Sequence, residues 1–162
     1  MMTFKKEVHL RMADSKDIDL LFQWINDPET RRNSFNQHEI SREEHEAWFK
    51  RLMSDPNRIQ YILIDGDISV GQIRIDITED VAEISYSIAP DERGKGYGHR
   101  IIDLAKEEIE REYPFIKTLK ASVKPNNVAS ISCFEQNGFT ESCITYEINT
   151  VNITHGGGKQ TK

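Results

Sequence analysis

Apolar and polar positions follow two periods along this chain. In residues 7–12, Val8, Leu10 and Met12 alternate with His9 and Arg11, the period of a half-buried strand. Ile18, Leu21, Phe22 and Ile25 then recur at helical spacing, with Asp14 or Ser15 as candidate N-caps. That helix is expected to end at Asn26-Asp27-Pro28, because proline disfavours helical backbone in the residue before it. Residues 29–40 are polar and show no period. Ser41, followed three residues on by Glu44, is a capping box, and it opens a helix whose inward stripe is Trp48, Phe49 and Leu52. Three strand-like runs follow, at 59–65, 69–77 and 81–88. The turn dipeptide Asp65-Gly66 separates the first two and Thr78-Glu79-Asp80 the second two, which predicts an antiparallel meander. Ile101, Ile102, Leu104, Ala105 and Ile109 mark a further helix, ending near Tyr113-Pro114. Residues 119–123 read as a short buried strand and 129–136 as a short helix closed by Asn137-Gly138 in a left-handed cap. Residues 139–148 read as one or two final strand segments.

The order β, α, α, β, β, β, α, β, α, β places a helix between the meander and a later strand. At least one strand pair is therefore expected to be parallel, through a right-handed crossover. The expected class is mixed α/β: a central, mostly antiparallel sheet with helices on both faces. Length and pattern suit a single domain over residues 1–153, with 154–162, rich in Gly, Lys, Gln and Thr, as a disordered tail.

Composition narrows the partners. A formal net charge of −6 argues against a general nucleic-acid binder, which would carry a basic surface. No run of 18 apolar residues exists, so no membrane-spanning helix is expected, and Met1 to Lys6 lacks the apolar stretch of a signal peptide. Two cysteines, Cys133 and Cys143, are too few for a disulfide framework and read as free thiols of a cytoplasmic protein. No His/Cys cluster has metal-ligand spacing, so no metal is expected.

Chemistry concentrates between the run at 81–88 and the helix after it. Arg93-Gly94-Lys95-Gly96-Tyr97-Gly98-His99-Arg100 alternates glycine with basic residues at a helix start. Free amides and the positive end of the helix dipole make such a start an anion site, and glycine lets the ligand approach the backbone. The stretch is neither the dinucleotide G-x-G-x-x-G nor the P-loop G-K-[ST], since Gly96 follows Lys95. It resembles instead the [R/Q]-x-x-G-x-[G/A] loop of the GNAT superfamily of N-acetyltransferases, matched at Arg93, Gly96 and Gly98. A second stretch, Asn127 with Phe134, Asn137-Gly138 and Phe139, resembles that family's N-x(6)-Y-x(3)-G-F signature. The element order over residues 7 to about 150 is similar to the GNAT fold.

That resemblance implies an acyltransferase that moves acetyl directly from acetyl-CoA to an amine. It implies that Arg93, Gly94, Lys95, Gly96, Gly98 and His99 hold the CoA pyrophosphate, mainly through main-chain amides. The main chain from Tyr86 to Ile88 would pair with the pantetheine arm, as a peptide pairs with a sheet edge. The Tyr86 amide would polarise the thioester carbonyl as an oxyanion donor. Asn127 would contact the cofactor arm. One departure stands out: Phe134 occupies a place where the family often has tyrosine, and phenylalanine has no proton to give the departing thiolate. Tyr97 and Tyr146 are candidate substitutes. An attacking alkylammonium must also lose a proton. Glu83, on the strand that carries Tyr86, is the first candidate base; His45, one turn before Trp48 and Phe49, is the second.

The acceptor-facing stretch, Trp24 to Pro28, Arg31-Arg32 and His45-x-x-Trp48-Phe49, together with Arg74 and Tyr86, resembles the amino-sugar N-acetyltransferases of flagellin glycosylation. That implies a small-molecule amine acceptor, an amino sugar or a nucleotide-linked one. Arg31 and Arg32 would bind its diphosphate through charge-assisted hydrogen bonds, with Trp24 and Arg74 as further substrate contacts. Ribosomal-protein N-termini and aminoglycosides are the competing acceptors, and a non-catalytic CoA-binding module is the alternative of another class. A homodimer is compatible with all of these.

Overall fold

The computed structural model describes residues 7–149. Five strands form one sheet in the order β1-β2-β3-β4-β5: β1 His9–Met12, β2 Arg58–Asp65, β3 Ile68–Thr78, β4 Val81–Ile88 and β5 Thr118–Lys120. The first three pairings are antiparallel and β4 pairs β5 in parallel, as the crossover helix requires. Five helices complete the fold: α1 Ile18–Ile25, α2 Pro28–Asn33, α3 Arg42–Ser54, α4 Tyr97–Glu112 and α5 Val128–Gln136.

Strand alternation sends opposite residues to opposite faces. Ile59, Tyr61 and Leu63 of β2, Ile73 and Ile75 of β3, and Ala82 and Ile84 of β4 meet Ile101, Ile102, Ala105 and Ile109 of α4 and Phe134 of α5 in the main core. On the other face a smaller core joins Ile62 to Leu21 and Trp24 of α1, Phe49 and Leu52 of α3, and Ala89. Helices therefore cover both faces, and each expected inward stripe is buried in part: Leu21 on α1, Phe49 and Leu52 on α3, and Ile101, Ile102, Ala105 and Ile109 on α4 are buried, while Ile18, Phe22, Ile25, Trp48 and Leu104 are half-buried. The helix entries form as their end signals require. Asp14 and Asp17 make a capping box on the single 3-10 turn leading into α1, and Ser41 and Glu44 make one at α3.

Three expectations are corrected. Residues 28–33 form a helix where no period is visible. Asp27 caps it by accepting from the Thr30 amide at 3.1 Å, and Pro28 sits in its first turn, where its missing N–H costs nothing. None of its six residues is buried, so no apolar stripe could announce it. The strand expected at 119–123 is shorter, Thr118–Lys120, because it pairs only with the first three residues of β4. The strands expected at 139–148 do not form; Ile144, Tyr146 and Ile148 alternate but are 63%, 89% and 65% exposed. Alternation alone makes no strand where no ladder partner and no core surface meet it. The expected tail at 154–162, with residues 1–6 and 150–153, lies outside the described residues.

Gly71 fixes how β3 lies on β4. A Cβ there would stand 2.9 Å from the Ser87 carbonyl oxygen and 2.9 Å from Ile88 Cδ1. Gly71→Ala is expected to destabilise the fold by about 1–3 kcal/mol through overpacking. The denaturation midpoint should fall with the denaturant slope unchanged.

Candidate active site

The sheet opens beside β4. Val81, Ala82 and Glu83 pair with Thr118, Leu119 and Lys120, and there the pairing stops. From Ile84 to Ile88, β4 keeps β3 on one side and has no strand on the other. Glu83 stands at the apex of this opening, and Tyr86 and Ile88 lie along its open edge. Main-chain groups on such an edge are free to pair with an extended ligand.

The glycine-rich loop lies at the wide end. Gly94 and Gly96 adopt φ of 74° and 87°, left-handed backbone that favours glycine. Gly96 is the N-cap of α4 and no side chain caps that helix, so its first-turn amides are left without a side-chain acceptor. A 16-residue helix with an uncapped, glycine-lined start fits a diphosphate group. Gly98 serves packing: a Cβ there would stand 2.9 Å from Cys133 Sγ and 3.3 Å from the Tyr86 hydroxyl. Lys95 reaches back to Glu92 at 2.8 Å, and His99 Nδ1 meets the Asn137 carboxamide at 3.0 Å. Asn137, buried at the end of α5, also donates to the Cys133 and His99 carbonyls, which locks α5 to α4. Asn127 caps α5 by accepting from the Ser130 amide at 3.3 Å.

Tyr86 crosses from β4 to α5. Its hydroxyl lies 3.1 Å from Ser130 Oγ, and its ring meets Phe134 edge-on at 5.7 Å. Burial pushes the Tyr86 phenol well above its usual range, so it stays protonated. A phenol thus does stand beside Phe134. The two tyrosines expected from sequence are elsewhere: Tyr97 donates to Asp65, which with burial raises it to about 12, and Tyr146 is exposed.

The face of the sheet opposite α4 carries a polar row. Gln60 donates to Gln72 at 2.6 Å and Gln72 to Ser87 at 3.0 Å. Arg58 and Arg74 both donate to Asp76, each at 2.9 Å. Arg74 stands opposite Ser85, and Asp76 opposite Glu83. Glu83 accepts from Ser122 at 3.1 Å and lies 3.7 Å from Lys120 Nζ. Of this row, sequence reasoning selected only Arg74 and Glu83. The signal that could have found Gln72, Ser85 and Ser87 is the polar period of two through 72–76 and 83–87.

The segment before α3 lies past the open edge. Trp24 is core, 6% exposed. Arg31 is turned inward, donating to the carbonyls of Ile25, Asn36 and His38 and to Ser34 Oγ. Its donors organise the loop after α2, whereas the neighbouring Arg32 is exposed. The Arg93 side chain donates to Asp27 and Glu29, which leaves its main chain to the glycine loop.

His45 is 1% exposed, ringed by Phe22, Trp48 and Phe49. Nε2 meets the Ile18 carbonyl at 2.8 Å, and Nδ1 is buried with no partner. Nε2 donates to that carbonyl, and a proton on Nδ1 would be buried without an acceptor, which favours the neutral ring. The structure places His45 away from the open edge, inside the α1–α3 packing. Burial lowers its pKa from the usual 6.5. The unfolded chain therefore takes up the proton first as pH falls. The stability this ring contributes is complete above about 6.5 and is lost as pH drops toward the lowered folded value. Wild type is expected to lose denaturant stability as pH falls below about 6.5, and His45→Gln to show a shallower decline there. Equal slopes would show that His45 titrates alike in both states.

An open parallel edge beside an uncapped glycine loop, on a mixed sheet, defines a class. A family model for the acetyltransferase (GNAT) domain matches residues 7–140. The chain belongs to this family and is an acetyl-CoA-dependent N-acetyltransferase. It is 26% identical over 130 residues to the uncharacterized N-acetyltransferase YfmK of Bacillus subtilis, spanning 80% of this chain and 83% of that protein. It is 29% identical over 132 residues to the acetyltransferase PseH of Campylobacter jejuni, covering 78% and 79%. Its fold is similar to that of the spermidine N-acetyltransferase of Vibrio cholerae, crystallised with CoA and spermine. The TM-score is 0.77 at 20% identity, over 84% of this chain and 82% of that one. Among the described residues no group of three or more His, Cys, Asp or Glu could hold a metal, and no helix is long and apolar enough to cross a membrane.

Proposed function

We propose that the protein acetylates the primary amine of an amino sugar, free or nucleotide-linked, with the acceptor on the polar face of the sheet beside β4. The observation that carries this reading is the row Gln72, Arg74, Ser85, Ser87 and Glu83. It offers amide, guanidinium, hydroxyl and carboxylate groups within one patch, the mixed donors and acceptors that sugar hydroxyls need. Relatedness to PseH and the resemblance of residues 24–49 to amino-sugar N-acetyltransferases support it. Arg32, exposed at the end of α2, is the residue free to meet a diphosphate.

The roles follow from position. The first turn of α4 holds the diphosphate of acetyl-CoA, and the free edge of β4 aligns its arm. Glu83 takes the proton from the acceptor's ammonium, directly or through a water. The amine then attacks the acetyl carbonyl, and the Tyr86 amide stabilises the charge that develops on the carbonyl oxygen. The nitrogen–carbon bond forms, the carbon–sulfur bond breaks, and the second proton that the nitrogen sheds goes to the departing thiolate, giving the free thiol. The Tyr86 phenol, held beside Ser130 and Phe134, offers the departing sulfur a hydrogen bond that Phe134 cannot.

The test is thiol release from acetyl-CoA with a panel of amines: amino sugars, their nucleoside diphosphate forms, an aminoglycoside, spermidine and a peptide with a free N-terminus. The highest kcat/KM is expected for a sugar amine. A preference for spermidine, aminoglycoside or peptide would replace the acceptor class.

A further inference from the structure

We infer that Arg93 is a positioning residue that locks helix α2 to the cofactor loop, so that acetyl-CoA binding and the ordering of α2 over the acceptor are coupled. This rests on the reading of the glycine loop as the diphosphate site.

The helix is six residues long and buries none of them, so the core does not hold it in place. What holds it is polar: its own Arg31 donates to the Ile25 carbonyl of α1 and to the loop after α2, and the remaining ties come from other elements. Arg93 Nη2 donates to Asp27 Oδ2 at 2.5 Å and to Thr30 Oγ1 at 3.3 Å, and Nη1 donates to Glu29 Oε2 at 2.7 Å. Asp27 is the N-cap of α2, so the same carboxylate that starts the helix ties it to the loop. At the other end, Lys124 Nζ, in the segment after β5, donates to the Arg32 carbonyl at 3.1 Å. The helix is thus fastened to both walls of the opening beside β4.

The electrostatics agree. The Asp27 carboxylate is 13% exposed and the Arg93 side chain 28%. Burial alone would raise the Asp27 pKa, but the bonds from Arg93 and Thr30 outweigh it and hold the carboxyl below its usual range. The Arg93 guanidinium has its donors taken up by two carboxylates, so it is not poised as an anion ligand. Ordering the loop around a diphosphate fixes Arg93, and Arg93 fixes the helix cap. The ordering of α2 is then supplied once, by whichever ligand binds first.

The test compares wild type, Arg93→Ala and Asp27→Asn in the full-length protein. Acetyl-CoA and acetyl-pantetheine, which lacks the diphosphate, are titrated calorimetrically into each. Hydrogen exchange at residues 28–34 is followed with and without CoA, and the acceptor KM is measured. CoA is expected to slow exchange in α2 of the wild type and to leave it unchanged in both variants. Acceptor KM should rise about tenfold in both, and the preference for acetyl-CoA over acetyl-pantetheine should stay as in wild type. Loss of that preference in Arg93→Ala, with a gain in Asp27→Asn, would make Arg93 a phosphate ligand and overturn the inference. CoA-dependent protection of α2 persisting in Arg93→Ala would overturn it too. A protein that turns over none of the amines would fail the acceptor reading alone, since exchange and calorimetry need no acceptor. Equal affinity of wild type for acetyl-CoA and acetyl-pantetheine would fail the diphosphate site itself.

Discussion

Glu83→Gln is expected to lower kcat/KM by roughly 10²–10⁴-fold, the usual worth of general-base catalysis, with acetyl-CoA affinity unchanged. Glu83 ends the paired part of β4, and its carboxylate lies on the polar face at the apex of the opening, within reach of Ser122 and Lys120. Gln keeps the length and one acceptor oxygen, so the Ser122 contact survives and only the proton acceptor is lost. The defect should shrink at high pH, where more of the acceptor is already free amine. His45→Gln should not reproduce that profile, because the ring is enclosed and its Nδ1 is shielded. The deciding measurement is kcat/KM against pH for wild type and both variants with one competent amine. A wild-type profile in Glu83→Gln would remove Glu83 from the chemistry and leave the enzyme proximity and orientation, worth about 7–11 kcal/mol in favourable cases.

Gly96→Asp should weaken acetyl-CoA binding by more than about 1–3 kcal/mol, a tenfold or greater loss. Gly96 has φ 87°, and a Cβ built there meets no protein atom within 4 Å. The substitution therefore strains the backbone without a clash, and it sets a carboxylate at the uncapped start of α4, where the diphosphate is expected. Gly96→Ala separates the two effects, since it carries the strain without the charge. Calorimetric titration of acetyl-CoA into all three proteins checks this, with thermal unfolding to confirm that the fold persists. Equal affinities would take the loop out of cofactor binding.

Most strands and helices, and the glycine loop, were legible in sequence because their signals are local. A glycine at a positive-φ helix start, a capping box at Ser41 and Glu44, and alternation through 59–65, 69–77 and 81–88 each depend on residues close together in the chain. Such features declare themselves without knowledge of partners. The two motifs at 93–98 and 127–139 did the same for the family.

Other features were decided by contacts between residues far apart. Helix α2 is invisible to any hydrophobic period, since it buries nothing and is held by its Asp27 cap, by Arg31, and by Arg93 and Lys124, 63 residues and more away. His45 looked like a base from its place beside Trp48 and Phe49; folding packs Phe22 and the Ile18 carbonyl against it and leaves it neutral. Arg31 and Arg32 are alike in sequence, yet one turns inward to three carbonyls and the other faces out. Alternation at 144–148 promised a strand that tertiary structure did not supply with a partner. The pattern of the chain determined most of the strands and helices and marked a loop start suited to an anion, because backbone preference and burial period act over a few residues. Where each charged side chain points was left to the tertiary structure. A long polar side chain has many rotamers of similar energy, and only the partner that folding brings within hydrogen-bond distance selects among them.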